Sequence, residues 1–279
     1  MRKRVFNKSI QSCILIFLIC SLARIIEYFA IKTDKTILAE NFLHKVFGII
    51  ILAVILRLTQ LSWDDIGFKK AGAVRNLTKG FALATACFAV AYLVECLFLY
   101  SMNGNVALAV YTSGFSLNGE AIRQNGIWYI LLCIVFNIIN VWMEEGIFRG
   151  LFTKLLTHKM NPRGMMLFIA FLFGIWHWVM PLRDFMEGHT SVANLLVMGI
   201  GYIILAGIMS IKWSILYSLT GSLWMGLGDH LFNNVIVTNL LHVVSNTEAD
   251  SLQIVRILIG QMISFAIAMV YFRKSHTSK

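Results

Sequence analysis

Two adjacent glutamates, Glu144 and Glu145, lie near the end of a strongly apolar stretch and are followed by Arg149. An ionisable side chain inside a membrane segment costs several kcal/mol, so it is rarely kept without a partner or a function. A carboxylate that is held out of bulk water can act as a general base on a water molecule. These residue types therefore point to chemistry within an apolar environment.

Two later histidines extend this pattern, because His177 and His230 also lie in apolar stretches. In an antiparallel hairpin with its turn near Met160, Glu144 and His177 lie almost equally far from the turn and so at the same depth. Lys212 is expected in a second cytoplasmic connection, which would put His230 at a similar depth. We therefore expect the three side chains to meet across three helices.

Helical spacing gives the two glutamates different surroundings. Asn137, Asn140 and Glu144 follow the i, i+3, i+7 pattern and share one helix face, which predicts that Glu144 faces a polar cavity. Glu145 and Arg149 are an i, i+4 pair on a neighbouring face. The spacing therefore predicts Glu144 as the base and Glu145 as a brace that Arg149 holds.

The same spacing places Asn234 beside His230 and His177 beside Phe173, so that Asn234 could donate hydrogen bonds to a developing oxyanion. Each residue also has a structural explanation. The glutamates could end a helix at the headgroups, His177 could belong to an interfacial aromatic belt, and His230 with Asn234 could join two helices. The shared depth of the three groups favours a site.

Composition sets the fold class. The chain of 279 residues is 58% hydrophobic with a mean hydropathy of +0.74, and only 14% of it is charged, against about 25% in a typical soluble domain. This predicts an all-α polytopic membrane protein that forms a single membrane domain over residues 1–279. About eight transmembrane helices are expected, in the apolar segments 9–31, 42–61, 80–101, 127–148, 164–181, 192–211, 213–240 and 252–272.

The distribution of lysine and arginine predicts the orientation. With both termini in the cytoplasm, most basic residues fall in cytoplasmic connections, as the positive-inside rule requires. The net charge of +10 then faces anionic lipid, and no nucleic-acid partner is expected. In this topology Glu27 and Glu95 point outward without a clear partner, and His242 lies in a solvated loop.

Three motifs resemble those of the CPBP family, the CAAX-protease and bacteriocin-processing group that includes the type II CAAX prenyl endopeptidases and Abi-like proteins. They are Glu-Glu-x-x-x-Arg at 144–149, Phe-x-x-x-His at 173–177 and His-x-x-x-Asn at 230–234. The resemblance covers a core of residues 127–240, and members of the family are multi-span helical proteins.

The resemblance implies an intramembrane endopeptidase that cleaves a membrane-associated or lipid-modified peptide or protein. By motif position, the catalytic residues would be Glu144, His177, His230 and Asn234, and the orienting or structural residues would be Glu145, Arg149 and Phe173. An integral protein of a bacterial plasma membrane is expected, with the active site open toward the cytoplasm.

Other interpretations of the same residues stay open. Glu144, His177 and His230 could bind a catalytic Zn²⁺, which needs three ligands and an open position. The usual HExxH helix is absent, and a metal-free site without a cofactor is expected. The chain could also be a non-catalytic membrane scaffold or a bacteriocin self-immunity protein of the same family. A proton- or ion-coupled transporter is less expected, because no internal repeat is visible.

Overall fold

The computed structural model describes residues 2–36, 40–113, 123–246 and 248–277. The chain has the predicted all-α polytopic membrane fold. Its α-helices are α1 (Arg2–Asn7), α2 (Ser9–Ile26), α3 (Leu43–Thr59), α4 (Ala73–Asn103), α5 (Ile127–Glu144), α6 (Thr153–Leu156), α7 (Pro162–Trp176), α8 (Val179–Met186), α9 (Val192–Thr220), α10 (Trp224–Phe232) and α11 (Gln253–Thr277). Short 3₁₀ turns occur at Thr33–Lys35 and Asp64–Ile66.

Within the described ranges, six helical stretches are long and apolar enough to cross a membrane. They are Ser9–Lys35, Ala73–Met102, Ile127–Leu156, Pro162–Met186, Val192–Thr220 and Gln253–Ser275. The predicted segments 42–61 and 213–240 are not among them, because α3 has only 17 residues and the second segment is divided between α9, α10 and the residues that follow. The count of eight and the cytoplasmic termini therefore stay predictions.

The prediction that Lys212 lies in a connection is wrong. Helix α9 continues through Lys212 and ends at Thr220, where Gly221 caps it with a φ of 61°. Lys212 is fully buried and donates a hydrogen bond to Asp229 of α10. A charge that is paired across two helices does not interrupt either of them, so the lone lysine was not a sign of a loop.

In the part of the chain that the structure describes, three stretches of π-helix continue α-helices, and none of them was predicted. They are Glu27–Ile31 after α2, Glu145–Phe152 between α5 and α6, and Asn233–Leu240 after α10. π-helical turns are rare in proteins and occur often at functional sites. The two longer stretches begin at or next to the residues of the first and third motifs.

A small antiparallel sheet joins two connections at one end of the helices. Strand β1 (Val106–Val110) pairs with β2 (Leu241–Ser245), and β2 pairs with β3 (Glu248–Ala249). His242 of β2 is buried, and its ring stacks on Tyr111 with the centroids 3.9 Å apart. The prediction of a solvated His242 is therefore wrong.

Two other residues also have partners that the sequence did not indicate. Glu27 accepts hydrogen bonds from the His44 Nδ1 atom (2.5 Å) and the Leu43 backbone (2.9 Å). Glu95 accepts a hydrogen bond from Arg256 Nη1 at 2.7 Å. Both carboxylates are buried, and each is neutralised or solvated by groups from a different helix.

Helices α4 and α10 are in direct backbone contact through two glycines. A Cβ atom on Gly80 would lie 2.1 Å from the Met225 carbonyl oxygen, and one on Gly228 would lie 2.4 Å from the Leu77 carbonyl oxygen. Neither backbone atom can move away cheaply, so no larger residue fits at either position. This contact fixes α10, and with it His230, against the longest helix of the chain.

Candidate active site

Glu144 is the last residue of α5 and is almost completely buried, with 3% of its surface exposed. Its Oε1 atom accepts a hydrogen bond of 2.8 Å from the indole nitrogen of Trp176, at the end of α7. Its Oε2 atom lies 3.6 Å from Nε2 of His230. One carboxylate oxygen is thus held by a neutral donor, and the other faces an imidazole.

His230 bridges the two glutamates. Its Nδ1 atom lies 2.9 Å from Oε1 of Glu145, while its Nε2 atom faces Glu144. Beside a carboxylate, Nδ1 carries the proton and donates, which fixes the tautomer of the neutral ring. The ring stacks on Trp213 with centroids 3.8 Å apart and planes inclined by 15°. The imidazole therefore has little freedom to turn.

Arg149 approaches the same Glu145 oxygen that His230 contacts. Its Nη1 atom lies 3.5 Å from Glu145 Oε1, and the guanidinium lies 4.0 Å from the Phe173 ring and 4.8 Å from the Trp213 ring. Within the described part of the chain, none of its side-chain nitrogens has a hydrogen-bond acceptor. Its charge is therefore offset by the Glu145 carboxylate and by aromatic faces.

His177 lies directly after α7. Its Nδ1 atom donates a 2.8 Å hydrogen bond to the Phe173 carbonyl oxygen. The Phe173 ring packs near both histidines, with its centroid 4.7 Å from that of His177 and 6.4 Å from that of His230. In the ranges described, no hydrogen bond or ion pair links His177 to Glu144. Phe173 is therefore a neighbour that both imidazoles share.

Asn234 lies in the π-helical stretch Asn233–Leu240 and is half-buried. Its Oδ1 atom accepts a 3.1 Å hydrogen bond from the Nδ2 atom of Asn233. The expected alignment with His230 assumed α-helical geometry, which ends at Phe232. Asn137 lies on the face of α5 that was predicted to be polar. It donates a 2.9 Å hydrogen bond to the Cys133 carbonyl oxygen and so serves packing within α5.

Sequence analysis missed Trp176 and Arg24. Arg24 of α2 is buried, and its guanidinium lies 4.4 Å from the Trp176 ring and 5.3 Å from the Tyr28 ring. Its Nε and Nη1 atoms find no acceptor among the described residues. A charge within an apolar segment was the available signal for Arg24. Trp176 gave none, because tryptophan is common in membrane proteins.

Zn²⁺ binding by Glu144, His177 and His230 is the alternative to a metal-free site. No group of three or more histidine, cysteine, aspartate or glutamate side chains that could hold a metal ion occurs in the described ranges. The Nδ1 atoms of His177 and His230 are engaged by Phe173 and Glu145, which leaves Nε2 of each ring as the nitrogen that could bind a metal. The metal-free site stays a prediction, and so does its zinc alternative.

A comparison with protein families places these residues in a known context. Residues 126–236 match the family model described as type II CAAX prenyl endopeptidase Rce1-like. The match contains all three motifs. No curated protein and no solved structure matched the chain. The matched region, which contains the motifs and lies among the membrane helices, is similar to the type II CAAX prenyl endopeptidases and supports membership of the CPBP family.

Proposed function

We propose that the protein is an intramembrane endopeptidase that hydrolyses a peptide bond with water activated by Glu144. The observation that carries the proposal is the buried row of Glu145, His230 and Glu144, in which the imidazole joins both carboxylates. In this row His230 orients the Glu144 base and can receive the proton that Glu144 takes up. The row occurs in a chain with membrane-crossing helices and a CAAX-type protease domain.

The first chemical step is attack of water on the carbonyl carbon. The 3.6 Å between Glu144 Oε2 and His230 Nε2 allows one water molecule to hydrogen-bond both atoms. Trp176 holds the other oxygen of Glu144, so Oε2 is directed at this position. Glu144 takes a proton from the water as the new C–O bond forms.

Collapse of the tetrahedral intermediate completes the reaction. The amide N–H₂ group of Asn234 stabilises the oxyanion, since its carbonyl oxygen is already bonded to Asn233. The proton passes from Glu144 to the leaving nitrogen, directly or through His230, and the C–N bond breaks. Glu145 stabilises the imidazolium whenever His230 carries the proton. His177, whose Nε2 atom has no hydrogen-bond partner among the described residues, helps to hold the water.

The location of the site leads to a substrate class. Its groups are buried among apolar helices, so we propose a membrane-associated or lipid-modified peptide or protein as substrate. Water must also reach the site, and we place its opening on the cytoplasmic side of a bacterial plasma membrane. The Trp142 ring, which stacks on Phe68 with centroids 4.4 Å apart, connects the site helix to the loop on the predicted cytoplasmic side.

The decisive experiment compares peptides released from membranes that contain the wild type, Glu144→Gln, Glu145→Gln or Glu248→Gln. Glu248 is exposed on β3 and serves as the matched control. We expect Glu144→Gln to abolish release, Glu145→Gln to reduce it and Glu248→Gln to leave it unchanged. Equal release by the wild type and Glu144→Gln would refute the protease. A larger loss in Glu145→Gln would reverse the two assigned roles.

Two further results separate the proposal from its alternatives. Activity that is lost on metal removal and restored by Zn²⁺ would overturn the metal-free mechanism. A cellular phenotype that survives both Glu144→Ala and His230→Ala would show a non-catalytic role instead.

A further inference from the structure

A buried ammonium group lies behind the candidate site. Lys212 Nζ contacts Asp229 Oδ2, Gln261 Oε1 at 2.6 Å and Ser264 Oγ at 3.0 Å. These four residues are at most 1% exposed. An ammonium group has three N–H donors and no acceptor, so each donor has one partner here. Lys212 therefore meets only acceptor atoms.

This contact fixes the orientation of a series of side-chain amides. Because Gln261 Oε1 faces the ammonium, its Nε2 atom faces away and donates to Asn233 Oδ1 at 3.0 Å. Asn233 then has only its Nδ2 atom left to face Asn234, and it donates to Asn234 Oδ1 at 3.1 Å. Each amide has one donor end and one acceptor end, so the direction set at Lys212 is passed to Asn234.

We propose that Lys212, Gln261 and Asn233 are positioning residues that make Asn234 present its N–H₂ group, and not its oxygen, to the reacting carbonyl. The inference rests on the proposed function, in which Asn234 stabilises the oxyanion. Only a donor can do so, and a flipped amide would place a partial negative charge against the developing one.

The charge at the start of the series is compensated locally. Asp229 pairs with Lys212 and also accepts a 2.7 Å hydrogen bond from Trp213 Nε1. The Ser264 hydroxyl accepts from Lys212 and donates to the Gln261 carbonyl oxygen at 3.1 Å. A buried ion pair is weak evidence for stability, but it can select one arrangement of the side chains around it. Here the pair of Lys212 and Asp229, with Gln261 and Ser264, orders side chains from α9, α10 and α11.

The test replaces donors by acceptors of the same shape. In Gln261→Glu the introduced carboxylate still accepts a hydrogen bond from Lys212 but cannot donate one to Asn233. The side-chain amides of Asn233 and Asn234 therefore flip, so that their oxygen and nitrogen atoms exchange places. We expect kcat to fall about 100-fold, the loss typical for one oxyanion donor, with KM little changed. The control is Gln253→Glu on the same helix, because Gln253 donates to the Thr238 carbonyl oxygen outside the series. Its kcat should stay at the wild-type value.

A second variant distinguishes loss of the amide series from misfolding. Asn233→Asp removes the donor to Asn234 directly and should reproduce the kcat loss of Gln261→Glu. In an Asn234→Ala background, Gln261→Glu should cause no further loss of kcat, because it acts only through Asn234. A purely structural role would instead add the two losses.

The outcomes separate this inference from the proposed function. Wild-type kcat in Gln261→Glu and Asn233→Asp, or additive losses in the Asn234→Ala background, would overturn the positioning series while Glu144→Gln remains inactive. Full cleavage by Glu144→Gln would overturn the proposed function itself.

Discussion

Two of the buried charged clusters in the described part of the chain differ in how completely their polar atoms are paired. The sheet cluster consists of Glu95, His242, Asp250 and Arg256, and the site cluster consists of Glu144, Glu145, Arg149 and His230. In the first, Arg256 donates to Glu95, Asp250 and the Val237 carbonyl oxygen, and His242 bonds to Asp250.

The site cluster is less completely paired, although Glu95 Oε1 and Arg256 Nε of the sheet cluster also have no partner among the described residues. None of the Arg149 nitrogens has a hydrogen-bond acceptor within the described residues, and the Oε2 atom of Glu145 has no donor there. Buried polar groups are normally paired, so each exception asks for an explanation. Under the proposed function, the sheet cluster holds connections together, whereas the unpaired atoms of the site cluster are available for chemistry.

The largest expected effect tests the catalytic side of this comparison. His230→Gln keeps the approximate volume of the ring but removes the bridge between the two glutamates, so we expect cleavage to fall by about 10²–10⁴-fold. Peptide release by purified protein in detergent measures it, with the exposed His189→Gln as control. Cleavage by His230→Gln at the wild-type rate would show that the site cluster has no chemical role.

The next effect tests the structural side. Arg256→Met leaves Glu95 as a buried charge without its partner, which should cost about 3–5 kcal/mol of unfolding free energy. Denaturant unfolding in detergent measures this, and the exposed Arg163→Met provides the control. Adding Glu95→Gln should recover part of the loss. If the folded fraction of Arg256→Met also loses cleavage activity, the sheet cluster and the site cluster are not functionally separate.

A smaller effect compares the two arginines by the same substitution. Arg149 has aromatic faces and one ion pair but no hydrogen bond, so Arg149→Lys should cost about 1–2 kcal/mol of stability. Arg256→Lys should cost more, because it breaks the fork to Glu95 and Asp250. Unfolding of both variants under the same conditions decides the order. Equal losses would mean that hydrogen-bond pairing does not distinguish the clusters.

The smallest effect concerns pH. Burial alone would raise the pKa of Asp250, but hydrogen bonds from His242 and Arg256 outweigh it and hold the pKa below its usual value. A carboxyl group of this kind contributes stability above its unfolded pKa of about 3.9, and the contribution is lost as the pH falls through the lower folded pKa. Hydrogen exchange in β2 should therefore accelerate below about pH 4. Asp250→Asn should flatten this dependence, and an unchanged profile would contradict it.

The membrane fold could be predicted from composition, since apolar runs of sufficient length leave few alternatives. The location of Lys212 could not, because a lysine paired across helices looks the same in sequence as a lysine in a loop. His242 was misplaced for the same reason, as its partners Asp250 and Tyr111 come from other elements. A contact between two distant elements leaves no pattern in the sequence around either residue.

The candidate site was predictable in part. The spacing of Glu145 and Arg149 predicted their pairing, which the structure contains at 3.5 Å. It did not indicate that Glu145 also holds His230, because that contact joins α10 to the π-helical stretch after α5. The π-helical stretches themselves have no sequence signal in residue type, and they changed the alignment expected for Asn234. The catalytic roles of these residues stay predictions.

The glycine contact between α4 and α10 has a consequence for how the protein enters the membrane. The segment that begins with α10 carries Asp229, His230 and Asn233, and it is not among the stretches apolar enough to cross alone. An aspartate at the centre of a helix opposes insertion by about 2.5–3.5 kcal/mol. Helix α4 is synthesised earlier, and its Leu77 carbonyl oxygen lies against Gly228, while its Gly80 lies against the Met225 carbonyl oxygen. We therefore expect the segment to integrate as the partner of a helix already in place, so Gly228→Leu should lower the amount of protein inserted during synthesis.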